Sequence, residues 1–251
     1  MTIPRREPPP FRPVVVEGTD RLTPRMVRVT LAGPALEGFP APEPAASVRL
    51  LLPQPEGLVV PTWNGNEFLL PDGTRPTIRT FTPRRFDPDA PSLDLDIVLH
   101  GSGAASTWAE GAAPGDEAAV SGPGRGYRIP SDAGAFLLLG DETAIPAIGQ
   151  LLEHLPDVPI TVHVEIASPD ARLDLHRDVD EHWHVPPAGA PPGETLVEAA
   201  RAATIDEGTR IWAAGEAAAM QRIRKHLFAE RGLPRSAATV RGYWKHGRAE
   251  T

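Results

Sequence analysis

The first half of the chain alternates short apolar runs with turn residues. The runs lie at residues 14–16, 26–31, 48–52, 77–82 and 93–99. The breaks between them are rich in glycine, proline and aspartate, at Gly33-Pro34, Pro53, Pro71-Asp72-Gly73 and Asp87-Pro88. Short strands separated by turn residues at this spacing are typical of an antiparallel barrel. We therefore predict a first domain over residues 11–130 that is an antiparallel β barrel.

After residue 130 the pattern changes to an alternation of buried strands and amphipathic helices. Strands are predicted at residues 135–139, 160–166, 210–214 and 238–244, and helices at residues 143–155, 196–203 and 216–231. Such an alternation predicts a mostly parallel sheet, and so an α/β domain over residues 131–251. Residues 173–192 follow neither the two-residue period of a strand nor the 3.6-residue period of a helix. Their proline-rich end is expected to be a surface loop.

Two segments of the first domain carry candidate chemistry. Residues 79–82 belong to a β-rich segment, and residues two apart in a strand share a face, so Arg79 and Phe81 are predicted to point the same way. Residues 100–107 form a small-residue turn that opens a short helix at 104–110, whose free N–H groups make an anion site. A guanidinium, an aromatic ring and a helix N-terminus suit a flavin dinucleotide. The alternative, a surface strand followed by a capped helix, stays equally open on these residues alone.

In the second domain, two predicted strand ends carry small or polar residues that open a helix. They are Asp141 with Thr143, and Gly215 with Glu216. Ligands of open α/β sheets bind beyond the carboxyl ends of the strands, so these positions are candidates for nucleotide contact. There is no Gly-x-Gly-x-x-Gly fingerprint, and the simpler alternative is that Asp141 and Thr143 cap a helix.

The amino-acid composition excludes several kinds of site and reaction. The absence of cysteine excludes disulfides, thiolate-bound iron–sulfur clusters and a cysteine nucleophile, so one-electron chemistry would need a bound organic cofactor. A net charge of −8 argues against general nucleic-acid binding but leaves room for a local basic pocket. No signal peptide and no membrane-length apolar run are found, which favours a soluble cytoplasmic protein. His176, His182 and His184 lack a further ligand on a rigid element, and no metal site is expected.

Several longer motifs occur in the order and at the spacing of one known family. They are Arg79-Thr80-Phe81-Thr82-Pro83-Arg84-Arg85-Phe86-Asp87, Val98-Leu99-His100-Gly101, Gly103-Ala104-Ala105-Ser106-Thr107-Trp108-Ala109, Ser121-Gly122-Pro123-Gly124, Gly140-Asp141-Glu142-Thr143-Ala144-Ile145-Pro146-Ala147, Trp212-Ala213-Ala214-Gly215-Glu216 and Gly242-Tyr243-Trp244-Lys245. With these motifs the chain resembles the siderophore-interacting proteins, which are flavin-dependent ferric-siderophore reductases of the ferredoxin-reductase-like superfamily. One departure is Phe81, where the family usually has tyrosine. A phenyl ring still stacks on a flavin, but the phenol hydrogen bond is lost.

The resemblance implies a fold, a cofactor and an electron donor. The fold is an N-terminal antiparallel Greek-key FAD-binding barrel followed by a C-terminal Rossmann-like nucleotide-binding domain. FAD is expected to bind non-covalently, and electrons to come from NADPH, NADH or a ferredoxin. No catalytic residue is expected beyond the flavin. The implied cofactor-binding residues are Arg79, Thr80, Phe81, Thr82, His100, Gly101, Gly103, Ala104, Ala105, Ser106, Thr107, Asp141, Thr143, Gly215, Glu216, Tyr243 and Trp244.

The resemblance also implies a substrate, a ferric siderophore. Ferric catecholate and hydroxamate-carboxylate complexes are often anionic and bulky, and a shallow basic mouth attracts them through long-range electrostatics. The implied substrate-binding residues are Arg49, Arg125, Lys245 and Arg248. Two other classes stay open: a flavin- or ferredoxin-type reductase with another acceptor, and a non-enzymatic siderophore-binding protein.

Overall fold

A computed structural model describes residues 8–101 and 103–247, so the predicted substrate residue Arg248 lies outside the described part of the chain. The chain divides into two units between Tyr127 and Arg128. No helix in the described ranges has both the length and the apolar character that crossing a bilayer requires.

The first unit is built from one curled antiparallel sheet and one small hairpin. Its elements are β1 Arg12–Thr23, β2 Met26–Ala32, β3 Val48–Leu51, β4 Thr62–Trp63, β5 Phe68–Leu69, β6 Ile78–Phe81, β7 Pro83–Asp87, β8 Ser92–Val98, α1 Ala104–Gly111 and β9 Glu117–Ser121. The seven-stranded sheet has the order β6-β3-β9-β1-β2-β8-β7, and β4 pairs with β5 alone. Strands β6 and β7 stand at opposite ends of this order, yet only Thr82 separates them in the chain. The sheet must therefore curl back on itself, as a barrel does.

The alternating side chains of the sheet fill the inside of this half-barrel. Val29 and Leu31 of β2 and Leu95 of β8 are fully buried in one core cluster. Helix α1 packs onto the same cluster through Trp108 and Ala109. The start of α1 is thereby fixed against the barrel core.

The second unit is a parallel sheet with helices. Its elements are β10 Ala135–Asp141, α2 Ile145–His154, β11 Ile160–Glu165, β12 Asp180–His184, α3 Glu194–Ala202, β13 Thr209–Glu216, α4 Ala217–Lys225, a π-helical turn at His226–Glu230, and β14 Ala238–Trp244. All pairs are parallel in the order β12-β11-β10-β13-β14. The strand order reverses between β10 and β13, and the carboxyl ends of these two strands mark the crevice where open α/β sheets bind ligands.

The structure confirms the fold class, an antiparallel barrel-like sheet followed by a parallel α/β sheet. It differs at several individual elements. Strand β12 lies within residues 173–192, where no element is predicted, because its histidines and acidic residues give no apolar alternation. Strand β9 and the β4–β5 hairpin are likewise missed, because β9 is rich in alanine and the two strands of the hairpin have only two residues each. The helix predicted from residue 216 begins one residue later, since Glu216 ends β13 and caps α4 with its side chain.

Candidate functional site

The strand that carries Arg79 and Phe81 places them on the side of the barrel core. Their cross-strand partners are Leu50 and Val48, both of the core cluster, and Phe81 itself packs against that cluster. Thr80 is exposed and pairs with Arg49 on the opposite face. The predicted common face of Arg79 and Phe81 is thus present. The Arg79 guanidinium donates from Nη1 to the carbonyl of Ile78 at 2.9 Å.

Thr82, between β6 and β7, differs from Thr80 in its surroundings. It is 7% exposed, whereas Thr80 is open to solvent. The curl of the sheet at this point explains the difference, because Thr82 is the single residue that links the two ends of the strand order.

The turn before α1 leaves the N–H groups of that helix available. Gly103 is the residue at the N-cap, its φ is +91°, and α1 has no acidic residue in its first turn and no side-chain cap at that position. Ser106 is 2% exposed, and its Oγ accepts the backbone N–H of His100 at 3.1 Å, which holds the turn together. Ala104 and Thr107 are exposed, and Gly101 also has a positive φ, of +74°. Among the described residues, no side chain caps the start of α1, and helix N-termini of this kind bind phosphate.

In the second unit, Asp141 joins the ends of three strands. Its Oδ1 accepts the backbone N–H of Thr143 at 2.9 Å and its hydroxyl at 2.5 Å. Its Oδ2 accepts the backbone N–H of Glu216 at 2.9 Å and the indole Nε1–H of Trp244 at 2.7 Å. Burial raises the pKa of the Asp141 carboxyl to about 6, although the hydrogen bonds from Thr143, Trp244 and Glu216 act in the opposite direction. The structure therefore brings together these four predicted residues.

Gly215 is required beside this carboxylate. Its φ is +154°, and a Cβ at this position would stand 2.6 Å from Asp141 Oδ2. Only glycine permits such an approach without displacing the carboxylate. The Asp141 carboxylate occupies the space that the missing side chain of Gly215 leaves.

Two further carboxylates cap helices at the same edge of the sheet. Glu216 is 3% exposed, and its Oε2 accepts the N–H groups of Ala218 and Ala219 at 2.6 and 2.9 Å. Glu165, at the end of β11, accepts the N–H of Gly193 at 2.6 Å and both the N–H and the hydroxyl of Thr195, at 3.1 and 2.6 Å. Sequence reasoning missed Glu165, although an acidic residue at the end of a predicted strand was the signal that could have found it.

The remaining predicted residues are divided between the units. Arg49 is exposed, with its guanidinium carbon 5.9 Å from the centre of the Phe68 ring. Arg125 is exposed in the segment after β9 of the first unit, and Lys245 is exposed just after β14 of the second. The Tyr243 ring meets the buried Trp212 edge-on, with centroids 6.3 Å apart.

Three histidines stack on the β11–β12 pair. His163 lies 4.6 Å from His182 between ring centroids, and its Nδ1 is 2.9 Å from Nε2 of His184. Burial, together with the charges of the two neighbouring rings, lowers the pKa of His163 to about 4. Within residues 8–101 and 103–247, no group of three or more histidine or acidic side chains is arranged to hold a metal ion.

This cluster predicts an acid-dependent loss of stability. The folded pKa of His163 lies below its usual value, so the unfolded chain binds more protons between pH 6.5 and about 4, and stability falls as the pH drops through that window. We expect wild type to lose about 1–2 kcal/mol more than His163→Gln between pH 7 and pH 5, after allowance for solvent exposure. Thermal unfolding at the two pH values measures the difference.

The control is His154→Gln, which changes an exposed histidine on α2. Asp141 has a raised pKa and acts in the opposite direction, gaining stability as the pH falls from about 6, but it is common to all three proteins and cancels. Equal pH dependence in wild type and His163→Gln would contradict the interpretation.

Comparisons with known proteins cover both units. Residues 15–127 match the family model of the siderophore-interacting FAD-binding domain, and residues 133–247 match that of the siderophore-interacting protein. A crystal structure of a siderophore utilization protein from T. fusca superposes with a TM-score of 0.86 at 35% identity, covering 98% of this chain and 97% of that one.

Two curated relatives carry names that state a reaction. Ferric vibriobactin reductase of Vibrio cholerae is 28% identical over 90% of this chain and 86% of its own. The NADPH-dependent ferric-chelate reductase of Escherichia coli is 34% identical over 61% of each chain.

Proposed function

The chain belongs to the siderophore-interacting protein family, and on that premise we propose that it reduces Fe(III) in ferric siderophores to Fe(II) with bound FAD. The observation that carries the proposal is the uncapped N-terminus of α1 in a unit that matches an FAD-binding domain. Hard oxygen ligands hold Fe(II) less tightly than Fe(III), so the reduction releases iron. No general acid or base is required at the metal.

The first unit has the chemistry that FAD requires. The N–H groups at the start of α1 and the Arg79 guanidinium suit the pyrophosphate, and the absence of an acidic residue in the first turn of α1 removes any repulsion there. We propose that Arg79 and residues 103–107 hold the pyrophosphate and that Phe81 and Thr82 border the flavin ring. Thr80, His100 and Gly101 are further proposed cofactor-binding residues. Bound FAD supplies the conversion of a two-electron donor into the single electrons that iron accepts.

The Phe81→Tyr variant tests the ring assignment. Phe81 is only partly buried against the barrel core, so part of its side chain stays accessible. We expect full flavin occupancy and binding equal to or tighter than wild type, by up to about fivefold, from the gain of one hydrogen bond of about 1 kcal/mol. Fluorescence titration of apoprotein with FAD measures this. A large loss of binding would mean that the ring belongs wholly to the core.

We propose that the second unit faces the electron donor, which is NADPH, NADH or a reduced ferredoxin. The name of the Escherichia coli relative supports NADPH. The residues proposed for this edge are Asp141, Thr143, Gly215, Glu216, Tyr243 and Trp244. Since the Asp141 and Glu216 carboxylates are already engaged within the chain, their proposed role is to shape the edge.

Positive side chains are proposed to attract the substrate. Arg49 and Arg125 in the first unit and Lys245 in the second are exposed, and Arg248 completes the proposed set. In a chain of net charge −8, such residues supply local attraction for an anionic complex that the protein as a whole repels.

The acceptor preference of the purified protein separates this function from the rival reductase class. We expect the bound flavin to be released as FAD on denaturation, and the holoprotein to reduce ferric siderophores faster than free flavin or cytochrome c. Bathophenanthroline trapping of Fe(II), the absorbance of free flavin and the absorbance of cytochrome c report the three rates under argon. Faster reduction of cytochrome c or free flavin would favour another acceptor, and a colourless protein that binds siderophore would favour the non-enzymatic class.

A further inference from the structure

The carboxyl edge of the second unit differs from that of an ordinary dinucleotide-binding domain. In such domains the pyrophosphate lies at a helix N-terminus, where backbone N–H groups and the helix dipole favour negative charge, and a glycine allows close approach. Here the turn after β10 is capped by Asp141, the start of α3 by Glu165, and the start of α4 by Glu216. Each carboxylate lies at the end of its own strand, and each is 7% exposed or less.

At the starts of α3 and α4, the donors that a pyrophosphate would use are therefore already bonded. The N–H groups of Ala218 and Ala219 at the start of α4 go to Glu216, and those of Gly193 and Thr195 at the start of α3 go to Glu165. The space beside Gly215 holds the Asp141 carboxylate. An incoming pyrophosphate would meet a buried acidic group at the end of each of these three strands.

The residues placed to bind the adenosine half of a dinucleotide are also engaged within the chain. An acidic residue at the end of the second strand commonly bonds the ribose of NAD, but both oxygens of Glu165 accept hydrogen bonds from α3. Arg172 is the basic residue after β11 suited to a 2′-phosphate. It is paired with Glu181 and lies over the Trp183 ring, 5.5 Å from its centre.

We propose that Asp141, Glu165 and Glu216 take the place of the dinucleotide pyrophosphate in this unit, so that the electron donor is engaged without a pyrophosphate contact. This inference deepens the proposed function, on which it rests for the existence of a donor. It contrasts with the first unit, where α1 begins without a carboxylate and is left to the pyrophosphate of FAD.

Titration with ADP-ribose tests the inference on the FAD-loaded protein. ADP-ribose carries the adenosine and the pyrophosphate of a dinucleotide without the nicotinamide. By isothermal calorimetry we expect no saturable binding up to about 1 mM, with filtrate fluorescence checking that FAD stays bound. A Kd near 10 µM or below, with FAD retained, would overturn the proposal.

Glu216→Ala should allow the pyrophosphate of ADP-ribose to bind at the start of α4. It frees the N–H groups of Ala218 and Ala219 and removes one negative charge, so ADP-ribose affinity should rise at least about tenfold. Glu207→Ala removes the same charge from an exposed turn before β13 and should change nothing. Circular dichroism checks folding. If Glu216→Ala does not fold, Glu216→Gln keeps the capping oxygen and should show a smaller gain.

No gain in a folded Glu216 variant, or an equal gain in Glu207→Ala, would overturn the assignment. Failure of the proposed function is seen separately, because reoxidation of a photoreduced flavin by a ferric siderophore needs no nucleotide. A protein that passes that assay and binds ADP-ribose tightly refutes the pyrophosphate inference alone.

Discussion

Arg79→Ala is expected to purify mostly as colourless apoprotein. The substitution removes the charge-assisted hydrogen bond that we propose from this guanidinium to phosphate. Such a bond contributes about 1.5–3 kcal/mol, which corresponds to a rise of about 10- to 150-fold in the Kd for FAD. The strand itself should persist, because Leu50 and Phe81 keep the β3–β6 pair on the core. The absorbance ratio of flavin to protein, followed by FAD titration of the apoprotein, measures the change.

The matched control is Arg85→Ala on the neighbouring strand β7, where the arginine is exposed. Arg85→Ala loses the same positive charge and the same side chain as Arg79→Ala, and it should keep the wild-type flavin content. Arg79→Lys should fall between the two, since it keeps the charge but loses the planar fork. Full flavin occupancy in Arg79→Ala would show that the phosphates lie elsewhere.

Neutralising Arg49 and Lys245 together should slow capture of an anionic ferric siderophore by about tenfold or more at low salt. Electrostatic attraction raises association rates, and both side chains are exposed where they can act on an approaching complex. The loss should shrink at high ionic strength, because the Debye length falls from about 10 Å at 0.1 M to about 3 Å at 1 M. Stopped-flow reoxidation of the reduced flavin measures the rate at the two salt concentrations.

A control double variant, Arg21→Gln with Lys225→Gln, changes one exposed arginine of the first unit and one exposed lysine of the second. It alters the net charge equally and should leave the rate within about twofold. A neutral ferric siderophore should be affected little by either pair. Equal losses for charged and neutral complexes would refute the basic-residue proposal, whatever the acceptor proves to be.

The sequence predicts most of the fold because apolar periodicity marks most of the buried elements, strand β9 being an exception. Strands such as β10 and β13 read as continuous apolar runs, since both of their faces are covered. Strand β12 lacks this signal, because it lies at the edge of the sheet and carries stacked imidazoles instead of aliphatic side chains.

The candidate site is predicted less completely. Asp141 and Thr143 are each compatible with a ligand contact or a helix cap. Only the folded structure shows that the Asp141 carboxylate accepts hydrogen bonds from Thr143, Glu216 and Trp244. Trp244 lies far from Asp141 along the chain, and no local pattern predicts that hydrogen bond. The capping role of Glu165 was missed because its partners begin a helix that follows β12, the strand that the pattern does not predict.

Single-turnover reoxidation of the photoreduced holoprotein tests the central claim most directly. Under argon, a ferric siderophore should restore the oxidised flavin spectrum with two Fe(III) consumed per FAD and Fe(II) captured by bathophenanthroline. The matching gallium(III) siderophore has nearly the same size and charge but is not reduced under these conditions, and should leave the flavin reduced. Iron-independent reoxidation, or a flavin that stays reduced with every ferric siderophore tried, would contradict the account.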